Sequence, residues 1–239
     1  MANIDVEMGQ FPIKTTMANS DYVVISLADG SQGQIKVSDI ASVVAASVSQ
    51  LNTLIPSGGV YESVDLGLPS GTKWARFNIG ATSESDYGDL FAWGATEPYR
   101  LNGTTPIDNT DNYSKSYANK IQHDLYPNED AATVKWGKGW KMPTKAQFDE
   151  LLANTTDEWT AINGINGRKF TASNGNYIFF PAAGYVNGGS LYYRGGYGDY
   201  WSRSFNSSSR AWFLDFNSSE RNVYTYGRYF GFSVRAVRA

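Results

Sequence analysis

Beyond Lys169 the chain contains no Lys, Gln, Met, His or Cys and is crowded instead with Tyr, Phe, Ser, Asn, Gly, Asp and Arg. Aromatic residues favour pleated, half-buried strands, and Gly, Asn, Asp and Ser supply the turns between them. The same seven residues make adaptable recognition surfaces: rigid rings, small spacers and forked hydrogen-bond donors. So abrupt a change of alphabet within a domain requires a cause. Binding is the cause this composition favours.

The 239 residues have room for one large domain, or a medium one with an appendage. Hydrophobic content of 41% and charge of 18% are ordinary for a globular chain. A net charge of -3 and a pI near 5.2 give no electrostatic footprint for nucleic acid. No stretch approaches the roughly 20 apolar residues a membrane helix needs, so no membrane insertion is expected. The opening MANIDVEMGQFPIKTT has neither the basic patch nor the apolar core of a secretory signal. With Cys 0, disulfides, thiolate metal sites and a cysteine nucleophile are excluded.

Along the chain, two short strands, 22–27 and 34–37, flank an Asp29-Gly30 turn. Ser38 or Asp39 then caps a helix with Ile40, Val44, Val48, Leu51 and Ile55 on one face. Two strands and one helix bury too little to stand alone. The stripe suits either packing on its own domain or a parallel bundle of several copies, and the second is the expectation carried forward. Residues 1–57 are thus an attachment and oligomerisation segment, with Pro56-Ser57-Gly58-Gly59 as linker.

Residues 58–239 form the main domain. A hairpin is expected around Leu68-Pro69-Ser70-Gly71, and a short apolar strand in GDLFAWG. In KMPTKAQFDELLANT, Thr144 caps a helix, Gln147 completes a capping box, and Phe148, Leu151 and Leu152 face inward. Asn174-Gly175 signals a hairpin. Strands follow in DYWSRSF, RAWFLDF and GFSVRAVR. Helices early and strands late imply an α+β fold. Alternation in Trp212–Phe216 puts Trp212, Leu214 and Phe216 on a core face and turns Phe213 and Asp215 outward. Tyr192, Tyr193, Tyr197, Tyr224, Tyr226, Tyr229 and Phe230 are placed in neighbouring loops, where they gather into a patch that marks an interaction site.

The ordered series VDLGLPSGTKWA, YGDLFAWGATEP, WGKGWKMPTKAQFDELL, YWS and GFSVRAVR resembles a bacteroidal domain family. The family's fold is C-type-lectin-like and close to that of the formylglycine-generating enzymes. Several members are similar to variable proteins of diversity-generating retroelements, some of them phage tail adhesins. The resemblance spans roughly residues 60–239. It implies that template adenines are miscopied, so that AAC codons become codons for Tyr, Phe, Ser, Asn, Asp, Gly, Arg or Thr, but never Lys, Gln, Glu, Met or Trp. On that pattern the variable region is about 190–231. Its ligand-contacting positions are Tyr192, Tyr193, Gly196, Tyr197 and Asp199, then Ser209, Arg210, Phe213 and Asp215. Tyr224, Thr225, Tyr226, Gly227, Tyr229 and Phe230 complete the set, while Trp201, Trp212 and Glu220 are fixed framework.

The resemblance further implies a homotrimeric receptor-binding protein of a phage tail fibre, carried on the virion and made in the bacterial cytoplasm. It would grip a host cell-surface protein or glycan non-covalently, and dock onto other tail proteins through residues 1–57. No cofactor, metal or catalytic residue is expected. The oxidase chemistry of the formylglycine-generating enzymes needs cysteines this chain lacks. The alternatives are a fixed-specificity bacterial glycan-binding or surface adhesin and, further off, a carbohydrate-active enzyme.

Other candidates have plainer readings. Asp108, Asn109, Asp111 and Asn112 carry oxygen ligands but lack the spacing and bidentate Glu of a calcium loop. His123, the sole histidine, has no Cys or second His with which to build a triad. A glycosidase needs two carboxylates about 5–10 Å apart, and the sequence singles out no pair. Arg235 and Arg238 alternate with Val234 and Val237 as in a strand, with framework acids as partners. The aromatic patch itself could be ordinary β-core. Doublets such as Tyr192-Tyr193, however, cannot both point inward on one strand.

Overall fold

The computed structural model describes residues 22–26, 32–36, 61–99, 101–102, 105–106, 121–137, 139–188 and 190–239. The chain divides into two compact units, Met1–Ser57 and Gly58–Ala239. In the first, β1 (Tyr22–Ser26) and β2 (Gln32–Lys36) pair antiparallel, with Tyr22 opposite Lys36 and Ser26 opposite Gln32. The expected helix over 40–55 and its oligomerisation seam lie outside the described residues, as do Asp108, Asn109, Asp111 and Asn112.

The second unit opens with β3 (Ser63–Asp65), β4 (Lys73–Ala75), β5 (Leu90–Phe91), β6 (Leu101–Asn102) and β7 (Thr105–Pro106). Helices α1 (Ala131–Trp136) and α2 (Lys145–Asn154) follow, then β8 (Thr155–Ile162), β9 (Ile165–Ala172) and β10 (Tyr177–Pro181). The chain ends with β11 (Tyr185–Asn187), β12 (Ser190–Tyr192), β13 (Gly198–Phe205), β14 (Arg210–Phe216), β15 (Arg221–Gly227), β16 (Phe232–Ser233) and β17 (Val237–Arg238).

Among the described residues strand makes up 41% and helix 10%, so the architecture is β-rich and the expected α+β class is wrong. Two stretches account for the difference. Asn163 and Gly164 take φ of 51° and 79°, the left-handed pair that joins twisted strands through a two-residue turn. They make a hairpin of β8 and β9, and of the two only β8 falls where the sequence signals no strand. Arg221–Gly227, read as loop, is strand β15, paired along its whole length with β14. Of the two helices among the described residues, α1 spans only 6 residues and α2 only 10.

Helix α2 begins where its capping chemistry dictates. The Thr144 side chain accepts from the Gln147 amide at 3.2 Å, and the Gln147 side chain accepts from the Thr144 amide at 2.9 Å. Such a cap is worth about 1 kcal/mol. Phe148 and Leu151 are fully buried, and Leu152 is half-buried.

The central sheet has the order β15-β14-β13-β16-β5, and its two faces have different neighbours. On one face Tyr200, Leu214 and Phe216 pack with Phe148 and Leu151 of α2, and with Trp74, Phe170 and Phe180. Truncating a ring such as Phe216 here costs about 3–5 kcal/mol. On the other face Trp201, Ala211, Phe213 and Phe232 join Phe91 and Trp93. A three-stranded sheet of β10, β9 and β8 is tied to the β14–β15 turn. Arg168 pairs with Asp157 and donates to the Asn217 carbonyl at 2.7 Å, while Arg221 pairs with the same aspartate.

GFSVRAVR does not run as one strand; it splits into β16 and β17. Between them Arg235 is fully buried. It donates to Asn78 Oδ1 at 2.9 Å and to the carbonyls of Ala75, Arg76 and Phe179 at 3.1, 3.0 and 2.7 Å. Carbonyls and an amide take the place of the expected acids. Burial lowers the guanidinium pKa to about 10, so the group remains charged at neutral pH.

Candidate functional site

Strand register assembles the site. In β13 and β14, Asp199 stands opposite Asp215 and Trp201 opposite Phe213. In β14 and β15, Phe213 stands opposite Tyr224 and Ala211 opposite Tyr226. Opposed residues share a face, so Asp199, Phe213, Asp215, Tyr224 and Tyr226 all leave the sheet on the side away from α2. The alternation expected in Trp212–Phe216 is therefore present. Phe213, however, is only 5% exposed and does not face open solvent. Trp201, Tyr226 and Phe232 surround it, with ring centroids 5.9, 5.8 and 4.9 Å away.

A cleft of about 610 Å³ opens above this floor. Its walls hold nine of the residues singled out from the sequence: Tyr193, Tyr197, Asp199, Arg210 and Phe213, with Asp215, Tyr224, Thr225 and Tyr226. Two further lining residues, Tyr185 and Phe232, were not among them. Tyr185 lies just upstream of the expected variable region, and Phe232 had been assigned to a framework strand. The signal for Tyr185 was available: a ring directly after Gly184, in the same codon-permitted alphabet.

The remaining predicted positions surround the cleft without lining it. Tyr192 is exposed and stacks on Tyr185 at 5.6 Å. Gly196 lies in the turn after Tyr193, where its amide donates to the Tyr193 carbonyl at 2.9 Å. Ser209 is exposed, and its carbonyl accepts from the Arg228 amide at 3.2 Å. Gly227 ends β15 opposite Arg210. The Tyr229 carbonyl accepts from Tyr99 Oη at 2.6 Å. Phe230 is buried, edge-on to Tyr226 at 4.5 Å.

All of these rings except Tyr224 form one connected set from core to surface. Trp201 stacks on Phe232 at 4.2 Å, and Phe232 reaches Tyr226 at 6.0 Å and Tyr185 at 6.2 Å. Tyr185 reaches Tyr193 at 5.9 Å, which reaches Tyr197 at 5.2 Å. Outermost, Tyr192, Tyr193, Tyr197, Tyr224 and Tyr226 are 41%, 61%, 37%, 48% and 41% exposed. Rings large enough to dominate a core are held outside it.

The loop carrying Tyr193 and Tyr197 is fixed by its backbone. Tyr193 takes φ +52°, a left-handed conformation that costs a non-glycine residue about 1–3 kcal/mol and clusters at functional sites. Its carbonyl closes the turn by accepting from the Gly196 and Tyr197 amides at 2.9 and 3.0 Å. Gly184, at φ +67°, lies so close that a Cβ would approach the Tyr192 carbonyl oxygen to 2.1 Å. Its amide donates to the Tyr197 carbonyl at 2.8 Å. Arg194 anchors the loop's other side over the Tyr87 ring at 4.7 Å.

At the floor, Asp199 and Asp215 couple. Burial, and then the charge of Asp215, pushes the Asp199 carboxyl well above its usual range. Asp215 is raised by burial and by Glu220, and is lowered by a hydrogen bond from Asp199. The two carboxyls are coupled and titrate as a unit. Asp199 Oδ2 is buried without a hydrogen-bond partner among the described residues. At the rim, Arg210 donates to the Thr225 carbonyl at 3.2 Å.

Arg228 is framework. Its guanidinium lies over Trp93 and Phe205 at 4.4 and 4.8 Å, and donates to the carbonyls of Ile121, Ser207 and Arg210. His123 stacks on Tyr126 at 3.9 Å. Among the described residues no three His, Cys, Asp or Glu side chains are grouped to hold a metal, and no helix is long and apolar enough to cross a membrane.

A family model described as a domain of unknown function, DUF8237, matches residues 152–237, the stretch that contains the whole cleft lining. No curated protein and no solved structure matches the chain. The C-type-lectin-like expectation thus has no structural counterpart, in keeping with the β-rich architecture.

Proposed function

We propose that this chain is a recognition protein whose aromatic cleft grips a host cell-surface protein or glycan non-covalently. On this reading it is the hypervariable receptor-binding tip of a phage tail fibre, homotrimeric, and attached to other tail proteins through residues 1–57. The observation that carries the reading is that five tyrosines stay exposed around one concavity on a rigid sheet. Rings held this way lose little conformational freedom on binding and supply large contact area. Such central aromatic anchors typically carry most of an interface's energy. Framework and cleft are separable because the supporting face of the sheet packs on α2, away from the ligand side.

The test is binding of the full chain to intact host cells, comparing the unaltered protein with a Tyr193→Ala, Tyr224→Ala, Tyr226→Ala triple variant. The expected result is a loss of at least tenfold in apparent affinity. Tyr126→Ala, an exposed ring outside the cleft lining, serves as control. Undiminished binding by the triple variant would refute the reading. Diversification is tested separately in neighbouring DNA, by the presence of a reverse transcriptase and an adenine-bearing near-copy of the 3′ coding end.

The carbohydrate-active enzyme draws support from one observation, the Asp199–Asp215 pair. Retaining and inverting glycosidases hold their carboxyls about 5 Å or more apart so that the sugar fits between them. Asp199 and Asp215 stand directly opposite on neighbouring strands, where Cβ atoms are about 4.5–5.5 Å apart, at the short end of the glycosidase range, and recognition remains the reading the geometry favours. Chemical turnover of host capsule by the chain would reverse this ranking.

A further inference from the structure

We propose that the cleft contains a subsite for an organic cation, an alkylammonium group held by the Asp199–Asp215 pair inside a cage of tyrosine rings. The inference rests on the recognition reading and names the chemistry of its ligand.

Three observations on the molecule carry it. Asp199 is 5% exposed, lines the cleft, and keeps a buried carboxyl oxygen without a partner. A buried acceptor left unmade is costly, and a donor entering the cleft recovers that cost. Second, Asp215 stands directly across the strand pair from Asp199. The two carboxyls are the acidic side chains of the cleft lining. Arg210 also lines the cleft but is exposed, and its guanidinium donates to the Thr225 carbonyl. Third, five tyrosines line the same cleft: Tyr185, Tyr193, Tyr197, Tyr224 and Tyr226. Aromatic faces attract cations through their quadrupole, most strongly where water is excluded.

Together these features discriminate among ligands. A hard metal ion takes roughly six to eight oxygen ligands, and two carboxyls walled by rings offer too few. A neutral polyol satisfies the acceptor but brings no charge to meet the carboxyl pair. An apolar group uses the rings but leaves Asp199 Oδ2 unpaired. Only an ammonium on a short alkyl stem uses all three: its N–H groups reach the carboxyls, its charge balances the pair, and its methylenes lie against the rings.

The experiment is a calorimetric or NMR titration of the full chain with n-butylammonium chloride, n-butanol and methyl α-glucoside in turn. The expected result is saturable binding of n-butylammonium at least tenfold tighter than that of either neutral probe. It weakens at least tenfold in Asp199→Asn and in Asp215→Asn. Equal binding of n-butanol, preference for the glucoside, or absence of n-butylammonium binding would each overturn the inference. The probe comparison uses the unaltered chain, so it stands even where a variant fails to fold. The two readings also separate. If the tyrosine triple variant loses host cells while n-butylammonium does not bind, recognition stands and the cation subsite falls. If n-butylammonium binds and the triple variant keeps its grip on cells, the subsite stands and recognition through the cleft falls.

Discussion

Asp199 carries the sharpest residue-scale consequence. Its carboxyl is neutral-favouring in the folded chain, raised first by burial and then by Asp215. The charged and titratable groups around the pair include Glu220, Arg210 and the hydroxyls of Tyr185, Tyr200 and Tyr226. A carboxyl raised above its unfolded value of 3.8 binds more protons folded than unfolded. Its stabilising contribution is therefore complete below that value and is lost as pH rises through the folded one. Asp199→Asn should accordingly raise the urea midpoint at pH 7 relative to the unaltered chain, with the gain vanishing towards pH 4. A constant difference across that range would show that the carboxyl is not coupled to folding. Glycines separate as sharply. A Cβ at Gly196 meets only the Tyr193 carbonyl oxygen, at 3.5 Å, whereas one at Gly198 would lie 2.0 Å from the Phe216 ring. Gly196→Ser should leave the thermal midpoint within about 2 °C, while Gly198→Ala lowers it by several degrees, since overpacking a core costs about 1–3 kcal/mol.

At the scale of elements, legibility followed how local the signal was. The cap of α2 was readable because Thr144 and Gln147 make their reciprocal bonds within four residues. The Asn174-Gly175 hairpin was readable for the same reason, and Gly175 does take φ +83°. Asn163-Gly164 carried an equal signal but was passed over, and with it went β8. Strand β15 was hidden by the very composition that drew attention to it, because Tyr, Asn and Gly suit loops and strands alike. The carboxyl pair was invisible for a different reason. Asp199 and Asp215 meet only through the β13–β14 register, which local sequence does not state. Phe213 was placed on its correct side of the strand, but Phe232, from a parallel strand far along the chain, covers it.

For the whole molecule, the chain divides at Ser57, and the proposed function assigns attachment to the first unit and recognition to the second. If the first unit assembles copies, several modest clefts act together through high effective concentration. Light scattering should then report a trimer for the full chain and a monomer for a chain starting at Gly58; two monomers would refute assembly through residues 1–57. The central claim is that the exposed rings serve binding and leave the fold to the sheet beneath them. It is tested most directly by exchanging Tyr193, Tyr197, Tyr224 and Tyr226 together for Ser and following cooperative thermal unfolding and host-cell binding on the same sample. The account predicts that unfolding stays cooperative, with its midpoint within about 5 °C, while binding is abolished. Loss of the cooperative transition, or binding that survives the exchange, would contradict it.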